Sequence, residues 1–248
     1  MDEFDQKQAT TASFGDVADA YLDSDVHQSG ADLELLVSWC DGANRALDIA
    51  CGAGHTAEAL TESAETVLAA DATPAMVETA TEAFSLPGIV ADAERLPFAD
   101  GSFDAVTCRI AAHHFPNPQA FVNEVARILA PGGVFAFEDN ITPEDDELAD
   151  FYNRFERLRD PTHGEAYSVA QWQDWFRNAG FTIDESVTMR KELEYESWVE
   201  RTNSDEKSRK KLADLVRKPE AEAVYDVSAE GGTVRGFSNE KVLIQAKK

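Results

Sequence analysis

Short apolar runs alternate with stretches of helical period through the first half of the chain, and three of those runs carry an aspartate at or near their end. Ala46 to Ala50 predicts one buried strand. Gly52 and Gly54 predict a tight turn after it, because only a residue without Cβ lets the backbone curl so freely. Ala57 and Leu60 then fall at helical spacing, so the turn opens a helix over residues 56–62. Thr66 to Asp71 is a second strand, and Thr73-Pro74 caps a helix with Met76, Val77 and Ala80 on one face. Gly88 to Asp92 is a third. After a turn at Gly101-Ser102, Phe103 to Ile110 suits a buried parallel strand. Pro118 to Leu129 is a helix with Phe121, Val122, Val125 and Leu129 inward, broken at Pro131-Gly132-Gly133 before a fifth strand, Val134 to Phe137. Such alternation predicts an α/β fold, with ligands bound at the carboxyl edge of a parallel sheet. Asp48, Asp71 and Asp92 would stand side by side there, with Glu138, Asp139 and Asn140 facing the same cleft.

The flanks read differently. Residues 1–28 are acidic, the first dozen reading as disordered. Phe14, Val17, Ala18 and Tyr21 recur at i, i+3, i+4 and i+7, an amphipathic helix that needs a surface, either a pocket to close or a sheet edge. Ser29 to Asp32 reads as a capping-box variant for a helix with Leu33, Leu36, Val37 and Cys40 toward the core. Beyond residue 141, a charged helix over 144–159 and a loop at 160–164 come first. A helix capped by Ser168 follows, whose Trp172, Trp175 and Phe176 read as core, stopped at Gly180. Residues 181–195 predict an edge strand, 198–216 one helix, 233–237 a short strand and 242–246 the last strand. The whole is one domain: residues 1–28 flexible or lid-forming, 30–140 binding a cofactor, and 141–248 supplying substrate-side helices and closing strands.

Charge narrows the classes of partner. The 248 residues carry 47 acids against 22 bases, a net charge of −25. Such a surface repels nucleic acid and anionic membrane over most of its area and fits a salt-adapted protein. The basic cluster from Lys207 to Lys218 is too short to reverse that. No apolar run reaches the ~20 residues needed to span a bilayer, and Met1-Asp2-Glu3 is acidic where a signal peptide is basic. Cys40, Cys51 and Cys108 form no Cys-x-x-Cys pair, so a reducing cytoplasm is expected, with the thiols as small core hydrophobes and no metal bound.

The first loop carries the chemistry. Gly52-x-Gly54-x-x-Ala57 satisfies the dinucleotide fingerprint, but Asp48 lies where a diphosphate would be repelled, and a ligand with positive charge suits it better. Asp71 falls 17 residues after Gly54, near the interval at which an acid grips ribose hydroxyls. With LDIACGAG at 47–54, LAAD at 68–71, VADAERLPFADGSFDAVTCRIAAHHF at 90–115 and LAPGGVFAFED at 129–139, residues 30–185 resemble the class I S-adenosylmethionine-dependent methyltransferases. Within that family the likeness is to the ubiquinone/menaquinone-type small-molecule enzymes.

The resemblance implies a Rossmann-like, doubly wound, mostly parallel seven-stranded sheet with helices on both faces and an antiparallel last strand. It implies S-adenosyl-L-methionine as cofactor, with Asp48 on the methionine ammonium directly or through water, the backbone from Cys51 through Gly52 to Gly54 against it, Asp71 at the ribose, and Asp92 and Ala93 at the adenine, Ala50 and Ala72 belonging to the same set. Met76 and Arg109 complete that set. It also implies a small organic methyl acceptor, phenolic or quinone-like and methylated on carbon, or else an O- or N-methylated metabolite.

Methyl transfer needs positioning, and a base if the acceptor carries a proton. His113, His114 and His163 are the candidate bases; His113 and His163 are taken into the catalytic set with Arg109, which would anchor an acceptor anion or else pair with a neighbouring acid. His55 reads as part of the cofactor loop. A nicotinamide-dependent oxidoreductase and a non-catalytic cofactor-binding protein stand as the other classes.

Overall fold

The computed structural model describes residues 3–15, 22, 28–200, 205–231 and 233–248. The chain opens with α1 (Glu3–Gly15) and α2 (Ala31–Ser38). Then follow β1 (Ala43–Ile49), α3 (His55–Leu60), β2 (Ala64–Asp71), α4 (Pro74–Phe84), β3 (Gly88–Val90) and β4 (Phe103–Arg109). A 3-10 turn over Ala112–His114 leads to α5 (Pro118–Ile128) and β5 (Leu129–Asn140). The remainder comprises α6 (Asp146–Arg159), α7 (Val169–Asn178), β6 (Thr182–Glu194), α8 (Tyr195–Glu200), α9 (Glu206–Leu215), α10 (Pro219–Tyr225), β7 (Ser228–Glu230) and β8 (Thr233–Lys247).

The strands form one sheet in the order β3-β2-β1-β4-β5-β8-β6, with the three-residue β7 paired to β8. Neighbours from β3 to β5 run parallel, and β8 is antiparallel to both β5 and β6. The expected architecture is present, with β7 as an eighth, accessory strand. The chain winds outward from β1 to β3, returns to β4 and winds the other way. The switch point therefore lies between β1 and β4, where open α/β sheets bind ligands. Asp48 faces Thr107 across that seam.

Alternation along the strands sorts side chains onto two unlike faces. Leu47, Ile49, Val106, Phe135 and Phe137 meet α5 and α7, where Phe135 stacks on Phe176 at 4.9 Å and Phe137 packs on Trp172 at 4.5 Å. The aromatic stripe of α7 is core, as its spacing predicts. The opposite face carries small residues at its centre, Ala46, Ala69, Ala105 and Ala136, beside Val67 and Leu243, which lets Leu36, Leu60 and Ala80 of α2, α3 and α4 sit close.

The differences from the sequence reading cluster at the ends. Residues 3–12, in the stretch expected without structure, belong to helix α1, while Val17, Ala18 and Tyr21 of the predicted amphipathic stripe lie outside the described residues. No capping box forms: the cap position falls on Gly30, which has no side chain to offer, and Asp32 accepts from Arg109 instead. The single helix expected over 198–216 is divided: α9 starts afresh at its cap Asp205, whose carboxylate accepts the Ser208 N–H at 2.6 Å. The two strands expected after residue 233 are one continuous β8. The helices after residue 141, expected on the substrate side, partly enclose a core of their own around Phe155, Trp198, Tyr225 and Phe237. No helix among the described residues is long and apolar enough to cross a membrane.

Candidate active site

The carboxyl ends of β1 and β2 are tied together before any ligand is considered. Gly52 and Gly54 adopt φ of 52° and 97°, so the turn needs glycine. A Cβ on Gly54 would also stand 2.8 Å from the Ala80 Cβ of α4, so this glycine sets how closely that helix packs. The Asp71 carboxylate accepts the Gly52 N–H at 3.0 Å on one oxygen and the Thr73 N–H at 2.8 Å on the other. It clamps both loops, and each oxygen keeps a lone pair for a ligand hydroxyl. Burial raises the Asp71 pKa, against the pull of these N–H groups.

Asp48 is the most telling group. It is 1% exposed. Its Oδ1 accepts the Thr107 hydroxyl at 2.7 Å, whereas Oδ2 is fully buried with no hydrogen-bond partner. Burial pushes the carboxyl up to about 7, with Thr107 and Arg109 pulling the other way. An unpaired buried carboxylate oxygen is costly, of order 1–3 kcal/mol, unless a ligand donor completes it. A cation is the natural complement; a diphosphate is not.

Asp48 lies in the wall of a cavity that also takes in Ala50, Cys51, Gly52, Asp71, Ala72, Met76, Asp92, Ala93 and Arg109. Ten of the expected cofactor residues are thus brought together. Gly54 is not in the wall, serving the turn beneath it. The far wall is Lys7, Thr10, Thr11 and Phe14 of α1; the sequence reading offered Phe14 and a lid-forming segment as one alternative but missed Lys7, Thr10 and Thr11. Lys7 Nζ reaches Asp92 Oδ2 at 2.7 Å and Glu94 Oε2 at 2.6 Å. Asp92 Oδ1 accepts the Glu94 N–H and Glu94 Oε1 accepts the Asn117 N–H, so the lysine lands on an organised acidic loop. A lone lysine in an acidic segment was the available signal.

The expected catalytic residues divide. Arg109 lines the cavity, but its Nε donates to Glu138 Oε2 and its Nη2 to Asp32 Oδ2, both at 2.8 Å, so its charge is committed to buried acids rather than offered to an acceptor anion. Ile110, the next residue, is β-branched at φ 54°, a strained backbone in the cavity wall. The expectation that His113 lines the cleft is corrected: its side chain is buried behind the wall, with Nδ1 2.6 Å from Asp139 Oδ1, and its backbone N–H donates to Asp139 Oδ2. Burial works against the imidazolium there, yet the Asp139 carboxylate raises the His113 pKa overall. His163 is also buried away from the wall, bonded through Nε2 to Asn153 Oδ1 at 2.8 Å, and burial drives its pKa far down. His114, set aside in favour of its neighbour, is the residue that reaches the cavity, as does His55.

The three cysteines are buried free thiols, Cys40 pushed up to about 12 by burial, and no group of three or more metal-ligating side chains is arranged for an ion among the described residues.

Comparison with known proteins agrees with this geometry. Residues 47–137 match the family described as "Methyltransferase domain". The chain is 38% identical over 196 residues to the uncharacterized methyltransferase YcgJ of Bacillus subtilis (strain 168), covering 76% of this chain and 78% of that one. The crystal structure of the YcgJ protein from that species superposes with a TM-score of 0.80 at 33% identity, over 88% of this chain and 97% of the other. A ubiquinone biosynthesis O-methyltransferase of Xanthomonas axonopodis pv. citri is 30% identical over 165 residues, 62% of this chain and 67% of that one. A glycine turn at the sheet's switch point, a buried acid beside it with one unpartnered oxygen and relatives along most of its length agree: the chain belongs to the class I S-adenosylmethionine-dependent methyltransferases.

Proposed function

We propose that this methyltransferase acts on a small, uncharged, ring-bearing organic molecule of phenolic or quinone-like type. The observation that carries the acceptor's character is the wall beyond the cofactor residues: Phe14, Ile110, Ala111, Phe115 and Pro116. Most of it is apolar, with Thr10, Thr11 and His114 as the polar groups among them, and the cations beside it, Lys7 and Arg109, are already held by carboxylates. An anionic acceptor would lose water there and gain no counter-charge. The relation to a ubiquinone biosynthesis O-methyltransferase supports the same class.

Asp48 would hold the ammonium of the cofactor's methionine part, which supplies the partner that Oδ2 lacks. Asp71, kept in place by two backbone N–H groups, would receive the ribose hydroxyls with its remaining lone pairs. Asp92 and Ala93 would meet the adenine, with Met76 and Ala72 alongside. Bound there, S-adenosylmethionine supplies an electrophilic methyl group on a sulfonium. The protein's own part is to orient the acceptor, exclude water through Phe14 and Phe115, and accept a proton where the acceptor carries one. His113, held by Asp139, and His163, held by Asn153, would then stiffen the loops behind the wall.

Calorimetry with S-adenosylhomocysteine and with NAD tests the cofactor half: micromolar binding of the first and none of the second is expected, and nicotinamide binding would sink it. A screen of acceptors with methyl-labelled cofactor tests the other half. Transfer confined to carboxylate or phosphate compounds would contradict an uncharged acceptor.

A further inference from the structure

The surroundings of His114 specify its chemistry more closely than those of any other polar group in the apolar wall. Its Nδ1 lies 3.0 Å from the carbonyl oxygen of Thr162. A carbonyl oxygen only accepts, so Nδ1 carries the hydrogen and Nε2 keeps the lone pair. The Thr162 hydroxyl, 3.4 Å from the same nitrogen, donates to Asp160 Oδ1 at 2.6 Å and so pins this loop beside the ring. Phe14 meets the imidazole edge-on at 5.0 Å, and the His113 ring lies 4.2 Å away. Nε2 has no hydrogen bond among the described residues. It is also not one of the fully buried unpartnered atoms, which among those residues are Asp48 Oδ2 and Trp172 Nε1. Nε2 therefore keeps access to open space, and the open space that His114 borders is the cavity. Burial and the neighbouring His113 hold the imidazole down to about 4, against the pull of Asp160 and Asp139, so the ring is neutral at physiological pH.

We propose that His114 is a catalytic residue whose Nε2 accepts the hydrogen of a hydroxyl group on the ring-bearing acceptor, and that methyl transfer goes to that oxygen. This rests on the methyltransferase reading above and narrows its acceptor to hydroxyl compounds. As the new oxygen–carbon bond forms, the carbon–sulfur bond breaks with its electron pair left on sulfur. The O–H electron pair stays on oxygen, and the proton moves to Nε2. One positive charge is lost at sulfur while one appears on the imidazole, so the net charge facing the apolar wall is the same before and after. A base that is neutral beforehand fits that exchange; an imidazolium would not.

The test uses the full chain with nitrogen-labelled histidines, saturated with S-adenosylhomocysteine, and two probes: 1-naphthol and its methyl ether. His114 should show a protonated Nδ1 and an unprotonated Nε2 throughout the neutral range. Its Nε2 resonance should shift with 1-naphthol and stay put with the ether. His114→Ala should weaken 1-naphthol binding by about tenfold, the scale of one hydrogen bond, while affinity for S-adenosylhomocysteine stays within about twofold. A protonated Nε2, or a resonance that responds equally to both probes or to neither, would overturn the proposal. The resonance experiment needs no variant, so a folding defect in the alanine protein does not rescue it. If the unsubstituted protein fails to bind S-adenosylhomocysteine at all, the methyltransferase reading fails first, and the two failures are told apart.

Discussion

On one side of the cavity the wall is made of strand ends: Asp48 in the seam between β1 and β4, the glycine turn seated on Ala80, and Asp71 clamping two loops. On the other side stands α1, a helix of 13 residues with no buried residue of its own. The first wall cannot move without opening the sheet's core. The second is held by the Lys7 bridge to Asp92 and Glu94, by Phe14 on His114 and by contact with α4. Ion pairs as exposed as the one with Asp92 contribute roughly 0–1 kcal/mol. The contrast teaches that one wall of the cavity is preorganised at the expense of stability, with one oxygen of a buried acid left unpartnered, whereas the wall facing it is only lightly fastened.

The largest expected effect comes from Asp48→Asn. Affinity for S-adenosylmethionine should fall by two orders of magnitude or more, about 3 kcal/mol, as for a buried charge pair robbed of one partner. The protein should meanwhile become more stable at neutral pH. The folded carboxyl, raised to about 7, lies above the ordinary unfolded value of about 3.9, so its contribution is fully present below that lower value and is lost as pH rises toward 7. Denaturation midpoints measured from pH 5 to 8 should therefore fall with pH more steeply in the wild type than in the variant. Parallel curves would show that Asp48 is not the strained group of the fixed wall.

Gly54→Ala attacks the same wall mechanically. A residue at φ 97° whose Cβ meets Ala80 at 2.8 Å should cost about 2–4 kcal/mol by strain and overpacking, read as a lowered denaturant midpoint. Lys7→Ala should do the opposite to each property: stability within about 1 kcal/mol of wild type, but cofactor release several-fold faster in stopped-flow measurements. A large loss of stability would mean that α1 belongs to the core.

Much of the fixed wall was legible in the sequence, because strand, glycine turn and acid follow one another locally and each leaves a residue-level mark. Asp48, Asp71 and Asp92 could be placed at one sheet edge without knowing a single long-range contact. The rest depended on pairings far apart in the chain. Nothing near Asp32 announces that it will bind Arg109, 77 residues on, rather than serve the start of its own helix. Adjacent histidines in the run Ala112-His113-His114-Phe115 look equivalent until Asp139 captures one and leaves the other to the cavity. The helix α1 is acidic and weakly patterned, so its order comes from Lys7 and Phe14 finding partners about 85–100 residues away, beyond any local rule.

Salt should separate the walls by the smallest but most characteristic effect. At a net charge of −25, screening to a Debye length of ~3 Å at 1 M relieves self-repulsion, so the melting temperature should rise with potassium chloride. The same screening weakens the Lys7 bridge, so α1 should loosen as the body tightens. A melting temperature that falls with salt would mean local pairs outweigh net charge.

Segment-resolved hydrogen exchange, with and without saturating S-adenosylhomocysteine, tests the two-wall account most directly. Amides of residues 3–15 should exchange rapidly in the free protein and gain strong protection on binding, while those of β1, β2 and α4 are already protected and change little. If residues 3–15 were as protected as β1 before any ligand is added, or gained nothing when it bound, the lightly fastened wall would not exist.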